Sequence, residues 1–432
     1  MHKAPFHRRI LPLIFFVAFI AVAPTILFYT SGYRWNPKKG KVERNGTVII
    51  DSVPTDATIY VDDRPLDKTT PFTIQDMAPG THQFRIERSG YTSWSKSLDV
   101  YPEKVTFANS VYLWKQSEPQ FTLNTPAKHD SISPDGTRLV LVDNTHPSST
   151  NIVILTTNDM RRQDVEIDNP IPDDVTFEWS DNSRYAVIRT VDENKAWLID
   201  SFAQHEPLSL PDGFFRWEGN QLIGIDRGVQ TTLRTSDYSL EKTPLEKPIA
   251  DASDTADLKT TTDTSALLYT TVKDPNRALL LPSGDWRFYA SLNNYVLLND
   301  GWDWLSLQPE NNPPQYRKIT GDYPRLLVNK KINHYLFVNG TEMLIWNPLA
   351  EPDLILRQSD RILDAAWHAT GDNIFYATEK DVRVINLDPR DGREISTLAS
   401  FDKINDSAYY DGKIFILATR GDQSGLWTLS VE

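Results

Sequence analysis

Apolar runs of four or five residues recur along this chain from about residue 130 to its end, separated by polar turns. They lie at 139–142, 185–188, 221–225, 266–269, 295–298, 334–338, 373–376 and 413–417. The run at 266 is out of phase, 45 positions after 221 and 29 before 295; the other neighbouring runs start 36 to 46 positions apart, and the mean over the eight is near 39. The runs are almost continuously apolar rather than alternating, which predicts strands buried on both faces. Partner runs follow at 152–155, 196–199, 343–346, 382–385 and 426–429. Self-similarity at this period predicts a β-propeller, each unit being one blade. Eight runs imply eight blades, or seven if the 266 unit is an insertion or half-blade. Residues 240–265, polar and rich in Thr, Asp and Lys, read as a loop. Pairing of residues 120–123 with the last blade would close the ring and remove its open edges. Tandem β-sandwiches are the rival architecture.

Ahead of the repeats the pattern changes twice. Residues 10–29, ILPLIFFVAFIAVAPTILFY, carry no charge. A helix of about 20 apolar residues crosses a hydrocarbon core. Basic flanks and Tyr29, Tyr33 and Trp35 suit its two interfaces. A cleaved signal peptide is the alternative, since Ala21-Val22-Ala23 has small residues at the right spacing. Pro24 and the continuing run Ile26-Leu27-Phe28 favour an uncleaved anchor. Lys3, Arg8 and Arg9 favour a cytoplasmic N-terminus with the body outside. The expected organisation is a cytoplasmic tail at 1–9, an anchor at 10–29, a basic linker at 30–44, a small β domain at 45–115 and the propeller at 120–432.

The small domain shows short alternating strands, with Ile59 and Val61 on one face and Thr58 and Tyr60 on the other, then Phe84 and Ile86 facing inward. Turns fall at Asp62-Asp63-Arg64-Pro65, Ala78-Pro79-Gly80-Thr81 and Gly90-Tyr91. With Val53-Pro54 leading to Ala57 and with Thr70-Pro71, this order resembles the PEGA domain, a β-sandwich of envelope proteins. The resemblance implies an extracytoplasmic spacer or wall-contact module. Pro54-Thr55-Asp56-Ala57 stands where the family has Pro-Glu-Gly-Ala, and Asp63 replaces a second Gly. Asp tolerates the left-handed backbone that such turns require. The acids Asp62, Asp63 and Asp67 lack calcium-loop spacing and read as turn formers.

In the repeats, Ser133-Pro134-Asp135-Gly136 ahead of the first run resembles the turn of TolB-like and WD40-like propellers. Trp179-Ser180-Asp181-Asn182-Ser183 and Trp367-His368-Ala369-Thr370-Gly371 are weaker copies.

Charge and composition narrow the function. The net charge is −13; residues 1–44 sum to +7, leaving −20 on the remainder. So acidic a body repels phosphate backbones, and nucleic acid is not an expected partner. With no Cys there is no disulfide, thiol nucleophile or Cys-based zinc site. The eight His are scattered, no nucleophile elbow or phosphate-binding Gly loop occurs, and neither cofactor nor metal is expected. Arg420-Gly421-Asp422 reads as a hairpin turn. Trp302, Asp303 and Trp304 are the binding candidates, as aromatic faces beside a carboxylate suit sugar rings; the competing reading is blade core. The expected protein is therefore all-β after its helix, a membrane-anchored envelope binding or scaffold protein rather than an enzyme. Its partner would be an envelope protein or a cell-wall or surface glycan. A propeller-based glycan lyase or hydrolase is the alternative, and a cytoplasm-facing assembly scaffold a third reading.

Overall fold

The computed structural model describes residues 7–432 except 31–32, 37–39, 173–174, 191–194, 212–213, 219, 227–228, 235–237, 245–249, 254–255, 261–264, 271–277, 284–285, 293–294, 301, 309–314, 330 and 348–349. The chain forms two compact units, Met1–Gln116 with Asp388–Glu394, and Ser117–Leu387 with Ile395–Glu432.

The first unit opens on a 24-residue helix, His7–Thr30. Ile14, Phe15, Phe16, Phe19 and Leu27 each leave more than half of their surface open. Over the described residues no helix is long and apolar enough to cross a membrane. The expected linker contains a hairpin, Tyr33–Asn36 paired with Lys41–Arg44. Lys38 and Lys39, part of its basic charge, lie outside the described residues, as does most of the expected tail at 1–9.

A seven-strand sandwich follows. One sheet orders Phe72–Met77, Gly46–Val53 and Val105–Tyr112; the other orders Arg64–Thr69, Thr58–Val61, Gly80–Glu87 and Trp94–Val100. Alternation puts Val48 and Ile50 of one sheet against Ile59, Phe84, Ile86, Trp94 and Leu98 of the other. Asp56, Asp62 and Asp63 have φ of 61°, 49° and 61°, so acids fill the left-handed turn positions that favour Gly. The carboxylate of Asp62 accepts from the Gln83 amide at 3.1 Å and meets His82 Nδ1 at 2.8 Å, a turn role rather than a calcium ligand's.

Lys96 is the unit's one fully buried lysine among the described residues, its side chain 1 % exposed. Its Nζ donates to the carbonyls of Asp388, Arg390 and Gly392 at 2.6–2.8 Å. The Ser97 amide donates to Asp391 Oδ2 at 2.7 Å, and Arg390 Nη1 to the Phe107 carbonyl at 2.8 Å. A residue nearly 300 positions distant in sequence thus organises the segment Asp388–Glu394. Replacing Lys96 by Met should cost about 2–4 kcal/mol, because three carbonyls lose their donor. Denaturant unfolding checks this; a change under about 0.5 kcal/mol would refute the cage's role.

The second unit contains, among the described residues, eight four-stranded antiparallel sheets. Blades 1 to 7 start with the innermost strands His129–Ile132, Val175–Trp179, Phe214–Glu218, Ala250–Ser253, Arg287–Leu292, Arg325–Asn329 and Ile362–Trp367. Blade 8 combines Lys403–Tyr410, Lys413–Arg420 and Gln423–Ser430 with Gln120–Asn124 as its outermost strand, the expected closure.

The run at 266 lost phase because it is the third strand of blade 4, Ser265–Thr270. The second strand is Ala256–Thr260, which begins 35 positions after Gln221 and 39 before Tyr295, restoring the period. Its sequence, ADLKT, alternates and so escapes a search for continuous apolar runs. The expected loop at 240–265 is accordingly replaced by Ser239–Pro244, Ala250–Ser253 and Ala256–Thr260.

Continuous apolarity elsewhere has the predicted cause. Leu139 and Leu141 of blade 1 pack with Phe415, Leu417 and Leu426 of blade 8. Val140 and Val142, on the opposite face, pack with Ile188, Trp197 and Ile199 of blade 2. Indoles pin neighbouring blades: Trp179 Nε1 donates to Ser131 Oγ (2.9 Å), Trp217 to the Glu178 carbonyl (3.0 Å) and Trp367 to the Leu327 carbonyl (3.3 Å). All three turn motifs share one geometry, in which the Gly136, Ser183 and Gly371 amides bond back to Ser133, Ser180 and His368 at 2.8–2.9 Å.

Closure rests on a close approach. A Cβ on Gly425, whose φ is +150°, would lie 2.2 Å from the Leu123 carbonyl oxygen. Gly425→Ala should therefore destabilise the ring by about 1–3 kcal/mol. Hydrogen exchange should report faster opening of residues 120–124 than of blade 2; equal protection would contradict this.

Candidate functional site

Eight innermost strands surround a channel with a cavity of about 510 Å³. Its described walls come from the innermost strands of blades 1, 2, 5, 6, 7 and 8, together with Arg189 and Pro324. Strands at a propeller axis cannot be sandwiched as completely as the second and third strands, so polar residues are tolerated there.

Three carboxylates from three blades gather in this wall. Asp130 of blade 1 is 5 % exposed, and neither of its carboxylate oxygens has a hydrogen-bond partner. Asp406 of blade 8 accepts from the Asp130 amide at 3.3 Å and lies 3.5 Å from His129 Nδ1. Asp364 of blade 7 pairs with the guanidinium of Arg325, which also donates to the Leu363 carbonyl at 3.0 Å. Burial pushes the Asp130 carboxyl well above the usual range, and the neighbouring charges of Asp406 and Asp364 add to the effect. Burial likewise raises Asp364, to about 7, against the pull of Arg325. Further round, Tyr289 keeps over a third of its surface open to the channel while protein surrounds it, and its phenol is pushed up to about 12. Arg189, whose pKa burial lowers, donates to the Phe215 carbonyl at 2.9 Å.

The sequence candidates occupy another place. Trp302 is 57 % exposed at a hairpin, whereas Trp304 is 4 % exposed and packs edge-on against Tyr289 and Phe337 at 4.8 and 5.3 Å. Asp303 is buried between them, paired with Lys318 at 2.5 Å. The two indoles therefore present no shared stacking face: Trp302 looks to solvent and Trp304 belongs to the core of blades 5 and 6. Trp302 stands in the turn ahead of the strand that begins at Trp304, so strand geometry does not hold the two indoles on one face.

Arg420-Gly421-Asp422 is a hairpin turn, with Gly421 at φ +58° and Arg420 paired with Glu118. Among the described residues no group of three or more His, Asp or Glu has a geometry that would hold a metal ion.

The three channel acids were not singled out by motif reading, because they lie in blades far apart in sequence. A signal existed. Asp130, Glu178, Asp364 and Asp406 each precede the start of their blade's second strand by seven to nine positions. An acid in that slot of several repeats marks a charged axis.

Residues 45–111 match the PEGA domain. The chain thus carries that module ahead of its propeller. Solved structures with similar chains include apo AztD from Citrobacter koseri, 14 % identical, covering 68 % of this chain and 98 % of that one, TM-score 0.45. The β-propeller domain of Myceliophteria thermophila Cps50 (Swd1) is 9 % identical over 72 % of this chain and 100 % of that one, TM-score 0.44. Raptor from Chaetomium thermophilum is 11 % identical, covering 74 % of this chain and 29 % of that one, TM-score 0.42. No curated protein matches the chain.

Asp130 should behave as a costly residue. A carboxyl with a raised folded-state pKa holds its proton longer than in the unfolded chain, so its relative contribution to stability falls as pH rises between the two values. Asp130→Asn should therefore raise the melting temperature by on the order of 2 °C above neutrality and by much less near pH 4. Thermal unfolding across that range tests the sign. A variant less stable at pH 8 than the wild type would overturn it.

Proposed function

We propose that this protein is a membrane-anchored, extracytoplasmic binding or scaffold protein of the cell envelope, with the propeller recognising a protein or glycan partner. The observation that carries the binding role is a ring of eight blades around a carboxylate-walled channel. Pockets of this size, apolar with a few convergent polar groups, are the usual form of a ligand site.

Anchoring rests on the helix His7–Thr30. At 1.5 Å per residue its 24 residues extend about 36 Å, enough for a hydrocarbon core. Thr25 and Thr30 turn their hydroxyls back onto the carbonyls of Ala21 and Ile26 at 2.8 and 2.9 Å, hiding polar groups along an apolar rod. The basic N-terminal residues and the long following body favour a cytoplasmic N-terminus. The PEGA domain supports an envelope setting through its resemblance to envelope proteins.

The enzyme reading has one observation in its favour. Buried acids raised towards neutrality, such as Asp364, are what glycoside cleavage needs in its general acid. The pairing of Asp364 with Arg325 weighs against it, since the guanidinium favours the ionised form.

Three measurements separate these readings. The full chain should stay in the membrane pellet after alkaline extraction, and deletion of residues 1–30 should release it. Protease added to intact cells should digest the body; protection would place it on the cytoplasmic side. Pulldown of envelope proteins and glycans should recover a partner with the wild-type chain, while new reducing ends from a glycan would instead establish hydrolysis.

A further inference from the structure

We propose that the channel wall formed by Asp130, Asp364 and Asp406 binds a single organic cation, an alkylammonium or guanidinium group carried on a slender stem. This rests on reading the propeller as a binding module and gives that module its ligand chemistry.

The charge count is the first argument. Four carboxylates, Asp130, Glu178, Asp364 and Asp406, line the cavity against two guanidiniums, Arg189 and Arg325, which leaves an excess of two acids, and Arg325 is already engaged by Asp364. His129 stands 3.5 Å from Asp406. Uncompensated like charges in a wall of low dielectric are expensive, so the site either takes up protons or takes a cation. Asp130 supplies the second argument. A carboxylate that is 95 % buried with both oxygens unpartnered has unused capacity for a donor. A fold maintaining such a group at its axis carries a cost that protonation or a cationic ligand removes.

The chemistry of the walls selects the cation. The described residues offer no cluster of three ligands disposed for a metal. Ile132, Phe177 and Leu326 line the same cavity, as does the aromatic ring of Tyr289, over a third of whose surface is open. Apolar and aromatic sides with acids at one wall suit a hydrocarbon stem ending in a positive head. A cavity of about 510 Å³ accommodates a lysine or arginine side chain with room to enter. On binding, protonated Asp130 releases its proton to the buffer as its carboxylate forms an ion pair with the incoming head, so charge balances.

The same head could arrive on a free amine or on a side chain of a protein partner. Titration calorimetry on the full chain in detergent micelles distinguishes them, with cadaverine as the free amine and the N-acetyl methylamides of lysine and arginine as side-chain mimics. The N-acetyl methylamide of norleucine is the neutral control. Saturable binding of at least one cationic probe is expected, with none for norleucine. A preference for the capped residues indicates a protein side chain, and a preference for cadaverine a free amine; both support the site. Asp130→Asn and Asp406→Asn should each weaken binding at least tenfold. The heat should vary with the ionisation enthalpy of the buffer, since a proton is released. Affinity should rise with pH as Asp130 ionises, under the influence of Asp364, Asp406, Arg325, His129, Glu178 and Arg189. Equal affinity for norleucine, no binding of any cation, or unchanged binding in the Asp130→Asn Asp406→Asn double variant, shown folded by its melting curve, would overturn the proposal. The pulldown reads out independently: a recovered partner with no amine binding refutes the cation site alone, and no partner at all refutes the binding role.

Discussion

Every blade of this propeller depends on having a neighbour on both sides, and that is secured where Gln120–Asn124 pairs with Gln423–Ser430. The second strands of blades 1 and 8 are buried on both faces, so an unclosed array would leave such faces in water. Closure brings Phe121 edge-on to Trp427 at 5.1 Å and lets Thr122 and Thr428 share a hydrogen bond at 3.1 Å. It also sets a steric demand at Gly425, where the incoming strand passes too close for any side chain. The packing of Leu139 and Leu141 against blade 8 follows from that one pairing.

Closure also creates the axis. Once the ring is complete, eight innermost strands must face one another across a shared space, and their side chains cannot interdigitate as those between blades do. The residues there are relieved of the packing requirement and free to be polar. Asp130 and Asp364 occupy that space at a cost in folding free energy, since burial opposes their ionisation. Sites that work against stability are common where a protein must offer unsatisfied groups to something else. The contrast with Lys96 is instructive. That cation is at least as buried, but three carbonyls accept its protons and Asp388 lies 3.9 Å away, so it holds a segment together instead of waiting for a ligand.

Much of the architecture could be read from the chain because it obeys short-range rules. Period and apolar continuity disclosed seven of the second strands, and the left-handed turn positions at Asp56 and Asp63 were foreseen from what Asp tolerates. The blade that misled, blade 4, did so because its second strand has the alternating pattern of ADLKT and its third has the apolar run. Pairing a strand with its neighbours is a matter of register in space, and a single run cannot announce its place in the sheet. Trp302 and Trp304 misled for a different reason: nearness in sequence suggested a shared face, but Trp302 stands in the exposed turn ahead of the strand that begins at Trp304.

By itself, the sequence determined the apolar N-terminal helix, the sandwich with its Asp-filled turns, the blade repeat and the closing strand, since each is written in contiguous residues whose period or turn chemistry is local. Only the tertiary structure decided that there are eight sheets, that Lys96 gathers Asp388–Glu394, and that Asp130, Asp364 and Asp406 meet at the axis. Asp130 and Asp406, 276 positions apart, meet only when the ring closes, and no periodicity along a chain encodes how charges add across a space that exists only when the ring is shut.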